Sequence, residues 1–167
     1  MLIVIEGIDG SGKTTLAQRL SNAWGFEYRH YPFSLDPATA SKNLQQAMFD
    51  DLVKHKPSAE FDWVVDRYTQ SSYVYGMPSK LYQRLVTCVP TPDLTVYLDI
   101  SPQESLDRCL RRGLPDPLGY DSASIVMRQD LINRYQELTW DIVLDATLSP
   151  DQLFDTLVSK IRYWRLL

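Results

Sequence analysis

Cys88 and Cys109 are the only cysteines in 167 residues. They form neither a metal-ligand spacing nor a disulfide framework, so a reducing, cytoplasmic compartment is the expected setting. No apolar run approaches the roughly 18 residues needed to span a bilayer, which excludes a helical membrane anchor. The opening Met1-Leu-Ile-Val-Ile-Glu6 lacks the basic flank and long apolar stretch of a signal peptide and reads as a strand. A basic excess is missing as well: the net charge is −4. That argues against a nucleic-acid binder, although a local basic pocket remains compatible with it. Repeats, low-complexity tracts and a linker to a second domain are also absent. One domain over residues 1–167 is therefore expected. With 44% apolar residues it is large enough to bury a sheet with helices on both faces.

What is present is an alternation of short β-rich runs with longer helical ones. Leu2 to Ile5 is an unbroken apolar run, as in a parallel strand covered on both sides. Further strands are predicted at Glu27–Tyr31, Trp63–Val65, Leu94–Leu98 and Ile142–Leu144. Helical spacing covers Thr14–Trp24, closed by Gly25, and Ala40–Lys54, with Leu44, Ala47, Met48 and Leu52 on one side. It recurs at Tyr68–Tyr75, Ser79–Cys88, Ser122–Leu138 and Pro150–Trp164. Ser101-Pro102 should cap a further helix reaching about Arg112, and Gly113–Tyr120 reads as a surface loop. The pattern predicts an α/β fold of three layers, built on a parallel sheet of about five strands. Ligands of such sheets bind at the carboxyl ends of the strands. Charged residues stand there repeatedly: Glu6 and Asp9, Asp66-Arg67, Asp99 and Asp145.

Gly7-Ile-Asp-Gly-Ser-Gly-Lys-Thr14 matches the phosphate-binding loop (P-loop) pattern G-x-x-x-x-G-K-[ST] in full. Its place between an apolar strand and an amphipathic helix is the one the chemistry requires. The loop lets backbone amides point inward at phosphate oxygens, and the helix that follows adds its positive end. Asp9, Gly10, Ser11, Gly12, Lys13, Thr14 and Thr15 are thus candidates to hold ATP. Lys13 would reach the β- and γ-phosphates and the Thr14 hydroxyl would ligate Mg²⁺. Asp66, ending an apolar strand, has two readings, a second Mg²⁺ ligand or a helix cap; Asp99 is its rival for the metal.

Four stretches resemble the thymidylate kinase family, part of the nucleoside monophosphate kinases. They are Glu6 to Thr15 with the acidic Asp9; Asp66-Arg-Tyr68 followed by Ser71-Ser72 and Tyr75; Pro92 to Asp99 leading into Arg108–Arg112; and Asp145-Ala146. The resemblance implies transfer of the ATP γ-phosphoryl group to a deoxynucleoside monophosphate, dTMP first. It implies that Arg67 clamps the acceptor phosphate, where the alternative is a structural ion pair. Asp9 would bind the 3′-hydroxyl, unless it only satisfies its turn. Phe49 would stack on the base or else belong to the core. Tyr68, Ser72 and Tyr75 would line the same pocket, Tyr120 would exclude ribose, and Ala146 would lie near adenine. His30, before Tyr31-Pro32, takes the place of a family arginine. A lid around residues 108–121 would carry Arg108 in a structural pair with Glu104 and either Arg111 or Arg112 toward the transferred group. Arg128 and Arg134 are left undecided between phosphate contact and surface. Leu114-Pro-Asp-Pro117 departs from the family's lid, and the base-reading arginine near Val53 is absent, which predicts weaker base discrimination.

Two other functions fit parts of the pattern. A deoxynucleoside kinase would phosphorylate a 5′-hydroxyl and would need a base beside it. A nucleotide-binding module without kinase activity would keep the loop alone; a GTP switch is disfavoured because no Asn-Lys-x-Asp reader occurs. Small nucleotides are the expected partners, with neither nucleic acid nor membrane, and a homodimer is left open.

Overall fold

The computed structural model describes residues 1–31, 62–113, 116 and 118–164. The elements are β1 (Leu2–Glu6), α1 (Lys13–Trp24), β2 (Glu27–His30), β3 (Trp63–Asp66), α2 (Thr69–Val74), α3 (Ser79–Cys88), β4 (Leu94–Asp99), α4 (Pro102–Arg112), α5 (Ser122–Gln136), β5 (Ile142–Asp145) and α6 (Pro150–Trp164). Each follows a segment expected from the sequence, with ends shifted by a residue or two. The helix expected at Ala40–Lys54, and Phe49 with it, lies outside the described residues.

The five strands form one sheet in the order β2-β3-β1-β4-β5. Every pairing is parallel, with Ile3 opposite Val64 and Leu94, and Leu98 opposite Leu144. The apolar run of β1 is explained by what lies on its two sides. Ile3 and Ile5 join a cluster with Val64, Leu16, Leu20, Leu157 and Ile161, while Leu2 and Val4 join another with Trp63, Val65, Met77 and Leu85. Alternate side chains of one strand thus serve two cores, and no position on it is left for a polar residue until Glu6.

Helix ends follow local chemistry. Gly25 and Gly113 close α1 and α4 in the left-handed region. The Ser101 side chain accepts a hydrogen bond from the Glu104 amide at 3.2 Å, with Pro102 in the first turn. The Asp121 carboxylate does the same for Ser124 at 2.9 Å at the start of α5. These caps fix where α4 and α5 begin, and so where the loop between them leaves and re-enters the domain.

Replacing Ser101 by Ala removes one cap. It should cost about 1 kcal/mol, read as a fall of about 2–4 °C in Tm for a domain of this size, with no change in nucleotide affinity.

Candidate functional site

Parallel pairing places the carboxyl ends of the strands on one edge, and the P-loop rises from the central one. Gly10 has φ 81°, and a Cβ there would meet the Ser105 carbonyl oxygen at 2.7 Å, so the loop can pack on α4 only with glycine. Ser105 completes this contact: its hydroxyl donates to the Asp9 carbonyl at 2.6 Å and accepts from Arg128 at 3.1 Å. Gly12, at φ 93°, turns the chain into α1, whose first residue is Lys13.

A cavity of about 660 Å³ opens over the loop, within the range of small-molecule sites. It is lined by residues 9–16, Arg19, His30, Asp66, Arg67, Arg108, Arg112, residues 147–150 and Leu153. Five cationic side chains (Lys13, Arg19, Arg67, Arg108 and Arg112) stand there against the carboxylates of Asp9 and Asp66. An acidic protein thus holds a pocket suited to an anion.

Lys13 is 5% exposed, and its ammonium donates to the Ile8 carbonyl at 2.9 Å. Burial, aided by the nearby Arg67 charge, lowers its pKa to about 8. Asp66 is fully buried. Its Oδ2 accepts from the Thr14 hydroxyl at 2.5 Å and from the Tyr28 hydroxyl at 3.3 Å, and lies 3.2 Å from His30 Nδ1. Burial alone would push this carboxyl up. The His30 bond, the Lys13 charge and the Thr14 bond together outweigh it and hold the pKa at about 2. Asp66 Oδ1 is buried with no hydrogen-bond partner among the described residues. A hydroxyl beside an ionised carboxylate with a spare oxygen is a donor set that fits Mg²⁺. Asp99, the rival, receives the Tyr97 hydroxyl instead and is not among the lining residues.

Arg67 is the one non-glycine described residue at positive φ, 71°. The turn it makes carries its guanidinium to Asp9, with which it forms an ion pair, and to the Tyr75 hydroxyl at 3.3 Å. Arg67 is thus ion-paired, as one of its two readings has it, and it also lines the cavity. Holding a residue with a Cβ in this region costs on the order of 1–2 kcal/mol.

The remaining expected residues divide. His30, Thr15, Arg108 and Arg112 line the cavity; Arg108 also pairs with Glu104 at 2.7 Å. Arg111 is 68% exposed and reaches back to Glu104, while Arg108 and Arg112, one turn apart on α4, border the cavity. Tyr68 does not reach the cavity. Its ring packs with Val4 and Val65, and its hydroxyl donates to the Pro90 carbonyl at 2.9 Å, since the turn at Arg67 sends the two side chains to opposite sides. Ala146 is fully buried with its amide on the Asp99 carbonyl; the next four residues face the cavity in its place. Ser72 is buried in α2 and Tyr120 is 40% exposed, neither at the cavity wall. Arg128 is no surface residue: it is wholly buried and paired with Asp116 at 2.8 Å. Arg134 donates to the Val74 carbonyl at 3.0 Å.

Sequence reasoning missed Arg19 and residues 147–150. Arg19 is one turn beyond Thr15 on α1, and residues 147–150 follow the last strand, so the carboxyl-end rule was the available signal. It placed Glu6 at a strand end but gave it no role; the structure buries its carboxylate fully behind Arg67.

The thymidylate kinase family model matches residues 45–156. A probable thymidylate kinase of Thermoplasma acidophilum is 25% identical, over 97% of this chain and 98% of its own length. One from Metallosphaera sedula is 30% identical, over 91% of this chain and 87% of its own. Among solved structures, thymidylate kinase from Candida albicans superposes with a TM-score of 0.72 at 18% identity, over 98% of this chain and 92% of that one. Deoxyadenosine kinase from M. mycoides with bound dATP gives 0.71 at 19% identity, over 97% and 100%. At such identities the structures establish the fold.

The depressed pKa of Lys13 sets a pH dependence. Below about 8 the ammonium is present in the free protein, and above it a proton must be taken up to bind a polyphosphate. Affinity for a nucleoside triphosphate should therefore fall about tenfold between about pH 7 and pH 9. Calorimetric titration checks this, and a flat profile contradicts it.

Proposed function

The chain belongs to the thymidylate kinase family and is a nucleoside monophosphate kinase that phosphorylates dTMP from ATP; we propose that the cavity over residues 7–14 is where it does so. The observation that carries this reading is the meeting in one cavity of Lys13, Thr14 and Asp66 with the Arg67–Asp9 pair. The first three suit the tail of a triphosphate, and the pair suits a second, singly phosphorylated nucleotide.

ATP lies with its phosphates in the loop amides and against Lys13, while residues 147–150 and Arg19 flank its base end. Thr14 and Asp66 would hold Mg²⁺, which would neutralise charge on the β- and γ-phosphates. Arg67 grips the acceptor phosphate with a planar guanidinium, and Asp9 keeps that guanidinium aimed and meets the sugar 3′-hydroxyl. The acceptor phosphate oxygen attacks the γ-phosphorus in line, and the bond to the β–γ bridging oxygen breaks, leaving ADP. Arg112, joined by Arg108, faces the charge that spreads over the transferred group. His30 and Tyr75 border the acceptor side. The domain acts as one unit over residues 1–167 with a lid at 108–121 that excludes water during transfer. The same reading takes the enzyme as cytoplasmic, with nucleotides as its partners. It involves neither nucleic acid nor a membrane surface.

An acceptor phosphate is already anionic and needs no base, whereas a 5′-hydroxyl would need one beside it. In a coupled ADP-release assay dTMP should be turned over and thymidine should not; turnover of thymidine alone would overturn the assignment. Lys13→Ala should lower kcat/KM by on the order of 100-fold or more, measured in the same assay.

A further inference from the structure

Behind the cavity lies a carboxylate that the reaction as described does not use. Glu6, the last residue of the central strand, is fully buried. Its Oε1 accepts from the Tyr68 amide at 2.7 Å and the Ser71 amide at 3.1 Å. Its Oε2 accepts from the Ser71 hydroxyl at 2.6 Å and from the Tyr135 hydroxyl of α5 at 3.2 Å. Four donors thus converge on one side chain, two on each oxygen; burial raises the Glu6 carboxyl above the usual range, and the bonds from Ser71 and Tyr68 and the Arg67 charge oppose that rise.

The place of these bonds in the chain gives them meaning. Tyr68 is the cap position of α2, and no side chain of its own segment caps that helix. The amides at a helix start have no partner within the helix and must find one elsewhere. Glu6 supplies it from a different strand, 62 residues away in sequence. The bonds to residues 68 and 71 therefore fasten the chain immediately after Arg67, and the ladder of β3 fastens it immediately before. Arg67, whose own amide donates to the Ile5 carbonyl at 3.3 Å, links these two fixed ends and takes the left-handed φ of 71°. A residue with a Cβ adopts that conformation only when its surroundings over-determine it.

We infer that Glu6 is a positioning residue for the acceptor site: by capping α2 from β1 it holds Arg67 in the backbone turn that aims its guanidinium at Asp9 and the acceptor phosphate. The inference rests on the reading of Arg67 as the grip on that phosphate. The Ser71 hydroxyl, bonded to Glu6, also lies 3.5 Å from the Arg67 guanidinium, which gives the carboxylate a second hold on the same group. The hydrogen bonds of Glu6 all go to residues 68, 71 and 135 and none to Lys13 or Thr14; Lys13 feels only its charge at a distance, so the larger effect of Glu6 falls on the acceptor.

The test varies dTMP and ATP separately with Glu6→Met, which keeps length and removes both acceptors, and Glu6→Gln, which keeps one. Glu6→Met should raise KM for dTMP about tenfold or more and leave KM for ATP within about twofold, the loss expected when the buried bonds that cap α2 go. Glu6→Gln should fall between it and the wild type. In an Arg67→Ala background Glu6→Met should add less than about twofold, because the two then act on one path. Equal rises in both KM values, a full additional effect on top of Arg67→Ala, or an unchanged KM for dTMP in folded Glu6→Met overturns the inference. Should Glu6→Met fail to fold, Glu6→Gln decides alone, and a dTMP KM equal to wild type overturns it. An Arg67→Ala enzyme with unchanged KM for dTMP would instead sink the phosphate-grip reading itself.

Discussion

The parallel pairing of β1 with β3 is the constraint on which the site depends. It sets Ile5 opposite Asp66, and from that register every later contact follows. The chain leaving β1 makes the P-loop, the chain leaving β3 makes the turn at Arg67, and Thr14 meets Asp66 between them. A slip of one residue would turn Asp66 to the other face of the sheet and bury a charge among Leu2, Val4 and Val65. The apolar alternation on β1 and β3, which feeds two separate clusters, makes that slip costly. Core packing and site geometry are thus set by one and the same pairing.

Electrostatics then divides the molecule unevenly. The chain carries an excess of acid overall, yet its cations gather at the cavity while its carboxylates there are each engaged. Asp9 faces Arg67, and Asp66 faces Thr14, Tyr28 and His30. Because Lys13 is buried among these groups, its charge costs desolvation free energy in the free protein, which is what lowers its pKa. An arriving polyphosphate supplies the counter-charge.

Much of this was legible before any coordinates. The strands announced themselves because a sheet covered on both sides leaves a continuous apolar run, and the P-loop because glycine and lysine occur at fixed places for backbone reasons. Asp66 and Arg67 followed from the rule that ligands sit at carboxyl strand ends. What escaped was whatever depends on direction rather than on position. Tyr68 stands next to Arg67 in the chain and on the opposite side in space, a consequence of one positive φ that no periodicity encodes. Arg111 and Arg112 are neighbours of identical type and both exposed, and only the helix phase puts one of them at the cavity rim. Ala146 marked the right loop, but the residues that line the pocket are the four after it. Glu6 was left without a role and Arg128 undecided for the same reason. A charged residue reads as solvent-facing until its partners, distant in sequence, are known.

Arg128 and Asp116 illustrate what such a partnership entails. The pair is almost entirely withdrawn from solvent, at 0% and 1% side-chain exposure, and it reaches the P-loop through Ser105. Deleting either charge strands the other in a medium that cannot solvate it, a penalty on the order of 3–5 kcal/mol. Drift at either position alone is therefore barred, whereas joint replacement by two apolar residues of matching volume stays open. Homologous sequences should exchange arginine and aspartate as a couple, so that the fingerprint of this buried contact is a correlation between alignment columns and not an invariant residue in either.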